Sequence, residues 1–106
     1  MKPGAHILVV DDEINIRGAL VTMLEKKGHQ VRGIATTEEG LDQLEAAPAE
    51  LVITDLRMPG IGGMEFLCRL KDRWPDTEVV VMTAFGSIDT AVEAMRRGAY
   101  DYLRSA

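Results

Sequence analysis

The sequence predicts an α/β domain, a doubly wound parallel sheet of five strands in the order 2-1-3-4-5 with helices on both faces. Three observations carry this. Strand and helix patterns alternate along the whole chain, which implies a parallel sheet with right-handed crossovers. The strands read as near-continuous apolar runs, chiefly Ile7-Leu8-Val9-Val10, Leu51-Val52-Ile53 and Val79-Val80-Val81-Met82, as in strands covered on both faces. Two of these runs lead into carboxylates, at Asp11-Asp12 and Asp55. An order that sets the first and third strands side by side gathers those acids at one switch point, where ligands collect in open α/β sheets. The pattern alone does not dictate the order; the carboxylates favour it.

Each element has its own signal. The first strand covers His6–Val10. The helix after it carries Ile16, Leu20, Met23 and Leu24 on one face, with Lys26 and Lys27 in its last turn and Gly28 as its stop. A weaker strand follows at Gln30–Ile34. Thr36 and Glu39 have capping-box spacing and open a helix with Leu41 and Leu44 that ends before Pro48. The third strand, Leu51–Asp55, runs into a Pro59-Gly60 turn and a loop with Gly62 and Gly63. Met64, Leu67, Leu70 and Trp74 then mark a third helix closed by Pro75, and the stripe reads as core. Val79–Met82 is a central fourth strand ended by Thr83; Gly86 loosens the loop and Ser87 is a candidate N-cap. Ile88, Val92 and Met95 are expected to face the core from a fourth helix that Gly98 terminates, and Tyr100–Leu103 is the fifth strand.

Length and composition narrow the function. A chain of 106 residues is one small domain, and 46% hydrophobic with 27% charged residues is ordinary for a globular protein. Seventeen acidic against twelve basic residues leave a net charge of −5, which argues against direct binding of nucleic acid or an anionic membrane. The lone Cys68 excludes an internal disulfide, fits a reducing compartment and sits in an apolar helical segment as a packing residue. No stretch reaches the ~20 apolar residues of a membrane span. The start, Met1-Lys2-Pro3-Gly4, lacks the apolar region of a signal peptide, so a cytoplasmic protein is expected.

A single acid at a strand end is more often a solvated turn residue than a ligand. Two such ends change the balance. Like charges raise each other's pKa, so Asp11, Asp12 and Asp55 need compensation if they converge. A hard cation supplies it, and magnesium characteristically joins one or two carboxylates to phosphate oxygens. The spacing therefore points to a metal-assisted phosphoryl site. His6 and His29 lie at strand entrances and receive no role.

The chain resembles the receiver domain of two-component response regulators, a flavodoxin-like fold. The resemblance is carried by Val9-Val10-Asp11-Asp12-Glu13, Asp55-Leu56-Arg57-Met58-Pro59-Gly60 and Thr83-Ala84-Phe85-Gly86. The tail from Ala91 to Leu103 is similar to the nitrogen-regulatory-protein-C type, whose receiver controls an ATPase domain acting on an alternative sigma factor. The resemblance implies that residues 1–106 are one receiver domain from a longer regulator with ATPase and DNA-binding domains. It implies that Asp55 accepts a phosphoryl group from a sensor histidine kinase. Asp12 would bind Mg2+ directly, Asp11 through water, Asp55 as a further ligand and Arg57 through its backbone carbonyl. Such chemistry needs in-line positioning and neutralised oxygens, and a carboxylate is already an ionised nucleophile. Thr83 matches the switch hydroxyl that draws the Ala84–Ser87 loop inward, and Tyr102 the switch aromatic.

Two departures stand out. The family's lysine falls on Ser105, too short and uncharged to replace an ammonium group. The sequence also stops before a fifth helix, through a shortened chain or an altered terminus. The first and fifth helices of this fold share a sheet face, so Val79, Val81 and Leu103 are expected to lose cover, and a homodimer would restore it. Two rival functions remain: a receiver-like interaction module that no longer switches, and an aspartyl magnesium phosphohydrolase. The second is disfavoured because Arg57 stands where a general acid is needed. No glycine-rich phosphate loop with lysine is present.

Overall fold

The apolar runs form the strands they predict. The computed structural model describes residues 4–58, 60–83 and 88–104. In chain order the elements are β1 (His6–Val10), α1 (Ile14–Lys26), β2 (Gln30–Ile34), α2 (Thr37–Ala46), β3 (Leu51–Asp55), α3 (Gly63–Arg73), β4 (Glu78–Thr83), α4 (Ile88–Arg96) and β5 (Asp101–Arg104). All neighbouring strands pair in parallel, in the order β2-β1-β3-β4-β5. The fifth strand lies one residue later than expected, and the fourth extends one residue further at each end.

Strand alternation sends side chains to two separate cores. Leu8, Val10, Val52, Val79 and Val81 face α2, α3 and α4, where they meet Leu44, Phe66, Leu67, Leu70 and Ala94. Ile7, Val9, Ile53 and Met82 face the other way and meet Leu20, Val21 and Leu24 of α1. Phe66 is the largest fully buried side chain, although the expected stripe of α3 passes it by. Trp74 packs only partly against this core.

Three expectations are corrected. Val79 and Val81 are fully buried on the three-helix face; Leu103 is open, at 46% exposure, and Val80 is half-buried on the α1 face. Among the described side chains of α4 the buried ones are Ala91 and Ala94, whereas Val92 and Met95 are exposed at 45% and 39%. Alanine lets the helix backbone approach the sheet closely, so the small residues take the inner face. In α1 the contact stripe is Leu20, Val21 and Leu24, and Ile16 and Met23 point to solvent. Gly86, Ser87, Pro59 and Ser105 lie outside the described residues, as does the side chain of Ile88.

Candidate functional site

The carboxyl ends of β1 and β3 are adjacent because Val10 pairs with Thr54 in the ladder. The chain leaves both strands through acids, and carboxylate oxygens of Asp11, Asp12 and Asp55 all lie within 4.8 Å of one another. Their environments differ. Asp11 is buried at 1% exposure, Asp55 is half-buried and Asp12 is exposed.

Local hydrogen bonds hold Asp11 and Asp55 in place. The Glu13 amide donates to Asp11 Oδ1 at 2.9 Å, and the Asp11 amide donates to the Ile34 carbonyl at the end of β2 (3.0 Å). The Arg57 amide donates to Asp55 Oδ1 at 2.9 Å, and the Leu56 amide donates to the Met82 carbonyl of β4 (3.1 Å). Glu13 caps α1 by accepting from the Ile16 amide at 2.8 Å. Asp11 Oδ2 is buried and has no hydrogen-bond partner among the described residues. Burial pushes the Asp11 carboxyl above the ordinary carboxylate value; the Glu13 amide pulls it back, and the charges of Asp55, Asp12 and Glu13 push it up again. A buried carboxyl oxygen without a donor among the described residues, facing two more acids, is a donor set that suits a hard cation.

The other expected residues lie at the same end of the sheet. Thr83 follows Met82, the ladder partner of Asp55; it is buried, and its hydroxyl lies 3.5 Å from the Leu103 carbonyl. Tyr102 pairs with Val81 in β5 and is 42% exposed. Arg57 is exposed and meets Asp55 through its amide.

Sequence reasoning missed Arg17 and Glu38. Arg17 Nη1 donates to the Asp11 carbonyl at 2.8 Å. Its position was readable, since helical side chains tilt toward the N-terminus and a residue in the first turn of α1 reaches back to the strand end. The loop after Asp55 is built around two glycines. A Cβ on Gly63 would stand 2.3 Å from the Asp55 carbonyl oxygen and 2.5 Å from the Leu56 Cα, so the start of α3 closes against the strand end only with glycine there. Gly60 has φ +73°, and its Cα faces the Glu38 carboxylate.

A buried acid and its two neighbours at the switch point of a 2-1-3-4-5 sheet agree with one family description, the response regulator receiver domain, whose model matches residues 7–104. The chain belongs to that family. It resembles the response regulator protein FleR of Pseudomonas aeruginosa, with 41% identity over 100 residues, 94% of this chain and 21% of that protein. The DNA-binding transcriptional regulator NtrC of Proteus hauseri is 33% identical over 103 residues, 97% of this chain and 22% of that protein. This receiver domain thus spans about a fifth of the length of either relative. Among solved structures, NtrX from Brucella abortus in complex with ADP superposes with a TM-score of 0.93 at 36% identity, covering 96% of this chain and 24% of that one. A response regulator from Burkholderia pseudomallei, crystallised with a phosphorylated aspartic acid, a calcium ion and citrate, gives 0.87 at 34% identity, over 95% of this chain and 59% of that one. The expected NtrC-type kinship is therefore present among the relatives. Among the described residues no helix is long and apolar enough to cross a membrane.

Proposed function

We propose that this receiver domain is a phosphoacceptor switch in which Asp55 takes a phosphoryl group from a sensor histidine kinase. The observation that carries this is the buried Oδ2 of Asp11, without a partner among the described residues, beside Asp12 and Asp55. Asp12, Asp55 and the Arg57 carbonyl would hold Mg2+, with Asp11 acting through water. When bound, the ion neutralises the charge of the phosphoryl oxygens and of the three acids. A free oxygen of Asp55 attacks phosphorus as the N–P bond of the donor phosphohistidine breaks, and the imidazole leaves with a proton from solvent. The Arg57 amide, already on Asp55 Oδ1, orients the carboxylate.

Thr83 is the switch hydroxyl, one residue beyond the ladder partner of Asp55, and Tyr102 is the aromatic that responds. The output is a change in partner contacts, by population shift, that reaches ATPase and DNA-binding domains of a longer cytoplasmic regulator. The open α1 face around Val80 and Leu103 suits pairing with a second copy of the chain. Ser105 in place of the lysine makes the phosphoryl adduct slower to form or shorter-lived. A receiver that binds partners without switching is the alternative that Ser105 favours. A phosphohydrolase is not favoured, because Arg57 offers no general acid at the site.

Incubation with acetyl phosphate, with and without Mg2+, followed by intact-mass analysis tests this. One Mg2+-dependent phosphoryl adduct is expected on the wild type and none on Asp55→Ala. An unmodified wild type together with no beryllofluoride binding would leave the interaction module standing.

A further inference from the structure

Two consecutive side chains at the start of α2 grip the loop that follows Asp55. The Glu38 carboxylate accepts from the Ile61 amide through Oε2 at 3.2 Å. The Thr37 hydroxyl is shared between the Ile61 carbonyl, at 2.6 Å, and Glu38 Oε1, at 3.0 Å. Both backbone polar groups of Ile61 are thus held by a helix 23 or 24 residues away in sequence. Thr37 is fully buried. Gly60 fits the same contact, because a Cβ there would come within 2.5 Å of Glu38 Oε2. Glu38's own amide, then the Ile61 amide and the Thr37 hydroxyl, hold the Glu38 carboxyl below the ordinary range.

The loop therefore has anchors on both sides of the turn. Upstream, the Arg57 amide is tied to Asp55 Oδ1; downstream, the Gly63 amide is tied to the Leu56 carbonyl at 3.2 Å. Between them, the Glu38–Ile61 bond and the Thr37 hydroxyl fix the turn to α2. Arg57 lies in the span these anchors define.

We propose that Glu38 is a positioning residue for the phosphoacceptor site, pinning the turn after Asp55 through Ile61 so that the Arg57 carbonyl is held at the acidic cluster. This rests on the metal-assisted phosphoacceptor function proposed above. Loss of the pin loosens a ligand and leaves the acids themselves intact.

Mg2+ titration by calorimetry on the 106-residue chain tests it, with thermal melts in metal-free buffer alongside. Glu38→Ala is expected to weaken Mg2+ binding roughly tenfold, the low end for residues that hold metal ligands in place. Its melting temperature should stay close to wild type, since an exposed carboxylate adds little to stability. Glu38→Gln keeps an acceptor for the Ile61 amide and should recover most of the affinity. In 15N-resolved NMR spectra, the Ile61 and Arg57 amides should shift together in Glu38→Ala. Asp12→Ala separates the two levels. If it binds Mg2+ as tightly as wild type, the metal site itself is wrong. If it loses Mg2+ while Glu38→Ala binds normally, only the positioning role falls. A lowered melting temperature with unchanged Mg2+ affinity in Glu38→Ala would also overturn it, by showing a purely structural clamp.

Discussion

Asp11→Asn should stabilise the metal-free domain. In the folded chain Asp11 is buried, its Oδ2 lacks a partner among the described residues, and Asp12 and Asp55 stand within 4.8 Å. At that separation two unit charges repel by about 0.9 kcal/mol in bulk water and about 3.5 kcal/mol at an effective dielectric constant of roughly 20. Asp11 and Asp12 are sequence neighbours, so much of their repulsion persists in the unfolded chain and cancels. The contact with Asp55 is created by folding and does not. Asparagine keeps an oxygen for the Glu13 amide and turns its nitrogen toward acids that can accept. A gain of about 2 kcal/mol is expected, or roughly 10 °C in melting temperature for a domain near this size.

The sign with pH follows from the raised Asp11 carboxyl. The folded chain keeps that proton to a higher pH than the unfolded one, whose value lies near 3.8. Wild-type stability therefore falls as pH rises from 3.8 through the raised value, and the penalty is complete above it. The gap between variant and wild type should be full above that window and close on acidification through it. Magnesium should invert the order, since a ligand at a hundred times its Kd adds about 2.7 kcal/mol to the chain that binds it. Circular-dichroism melts in chelator and in Mg2+ measure both. An Asp11→Asn chain that melts at or below wild type in chelator refutes the account of a strained acidic cluster.

Gly63→Ala should destabilise the fold by about 3 kcal/mol or more, because the added Cβ meets backbone atoms of Asp55 and Leu56 that cannot swing aside; denaturant titration checks it, and a midpoint equal to wild type would contradict the close approach. Ser105→Lys should lengthen the lifetime of the phosphoryl adduct severalfold, read as the decay of the intact-mass shift after removal of the donor; an unchanged lifetime would show the serine to be sufficient. The open part of the α1 face is smaller than the sequence suggested, amounting to part of Leu103 and part of Val80, so the exposed apolar surface costs about 1–2 kcal/mol. Light scattering at micromolar concentration should show a dimer, and a stable folded monomer there would remove self-association from the account.

Much of the fold was legible because its strands are apolar on both faces and end in chemistry that only a shared edge explains. The clustering of Asp11, Asp12 and Asp55 was legible too, because two strand ends that lead into carboxylates meet once β1 and β3 pair. Helix phase was harder to read. In α4 the larger apolar residues, Val92 and Met95, drew the eye, yet the sheet takes Ala91 and Ala94 because close backbone approach outweighs side-chain size there. In α1 the residues at i, i+4 and i+7 mix the inner and outer faces, since Ile16 and Met23 lie on the solvent side of Leu20 and Leu24. The parity of β4 was likewise open, and it put Val79 and Val81 in the larger core. Contacts between distant segments leave no local trace. The grip of Thr37 and Glu38 on Ile61 joins the start of α2 to a loop that nothing in the spacing connects with it. Its sign in the sequence is Gly60, whose positive φ and approach to Glu38 suit glycine.

The central claim is that Asp55, and no other group, carries the phosphoryl. Acyl phosphates are reduced by borohydride, so the modified aspartate can be trapped and located by peptide mapping after treatment with a small phosphodonor and Mg2+. The account predicts a single trapped site, in the peptide containing Asp55, that disappears when Mg2+ is chelated. A trapped site at Asp11, Asp12 or another acid, or a phosphoryl group held instead on His6 or His29, would contradict it.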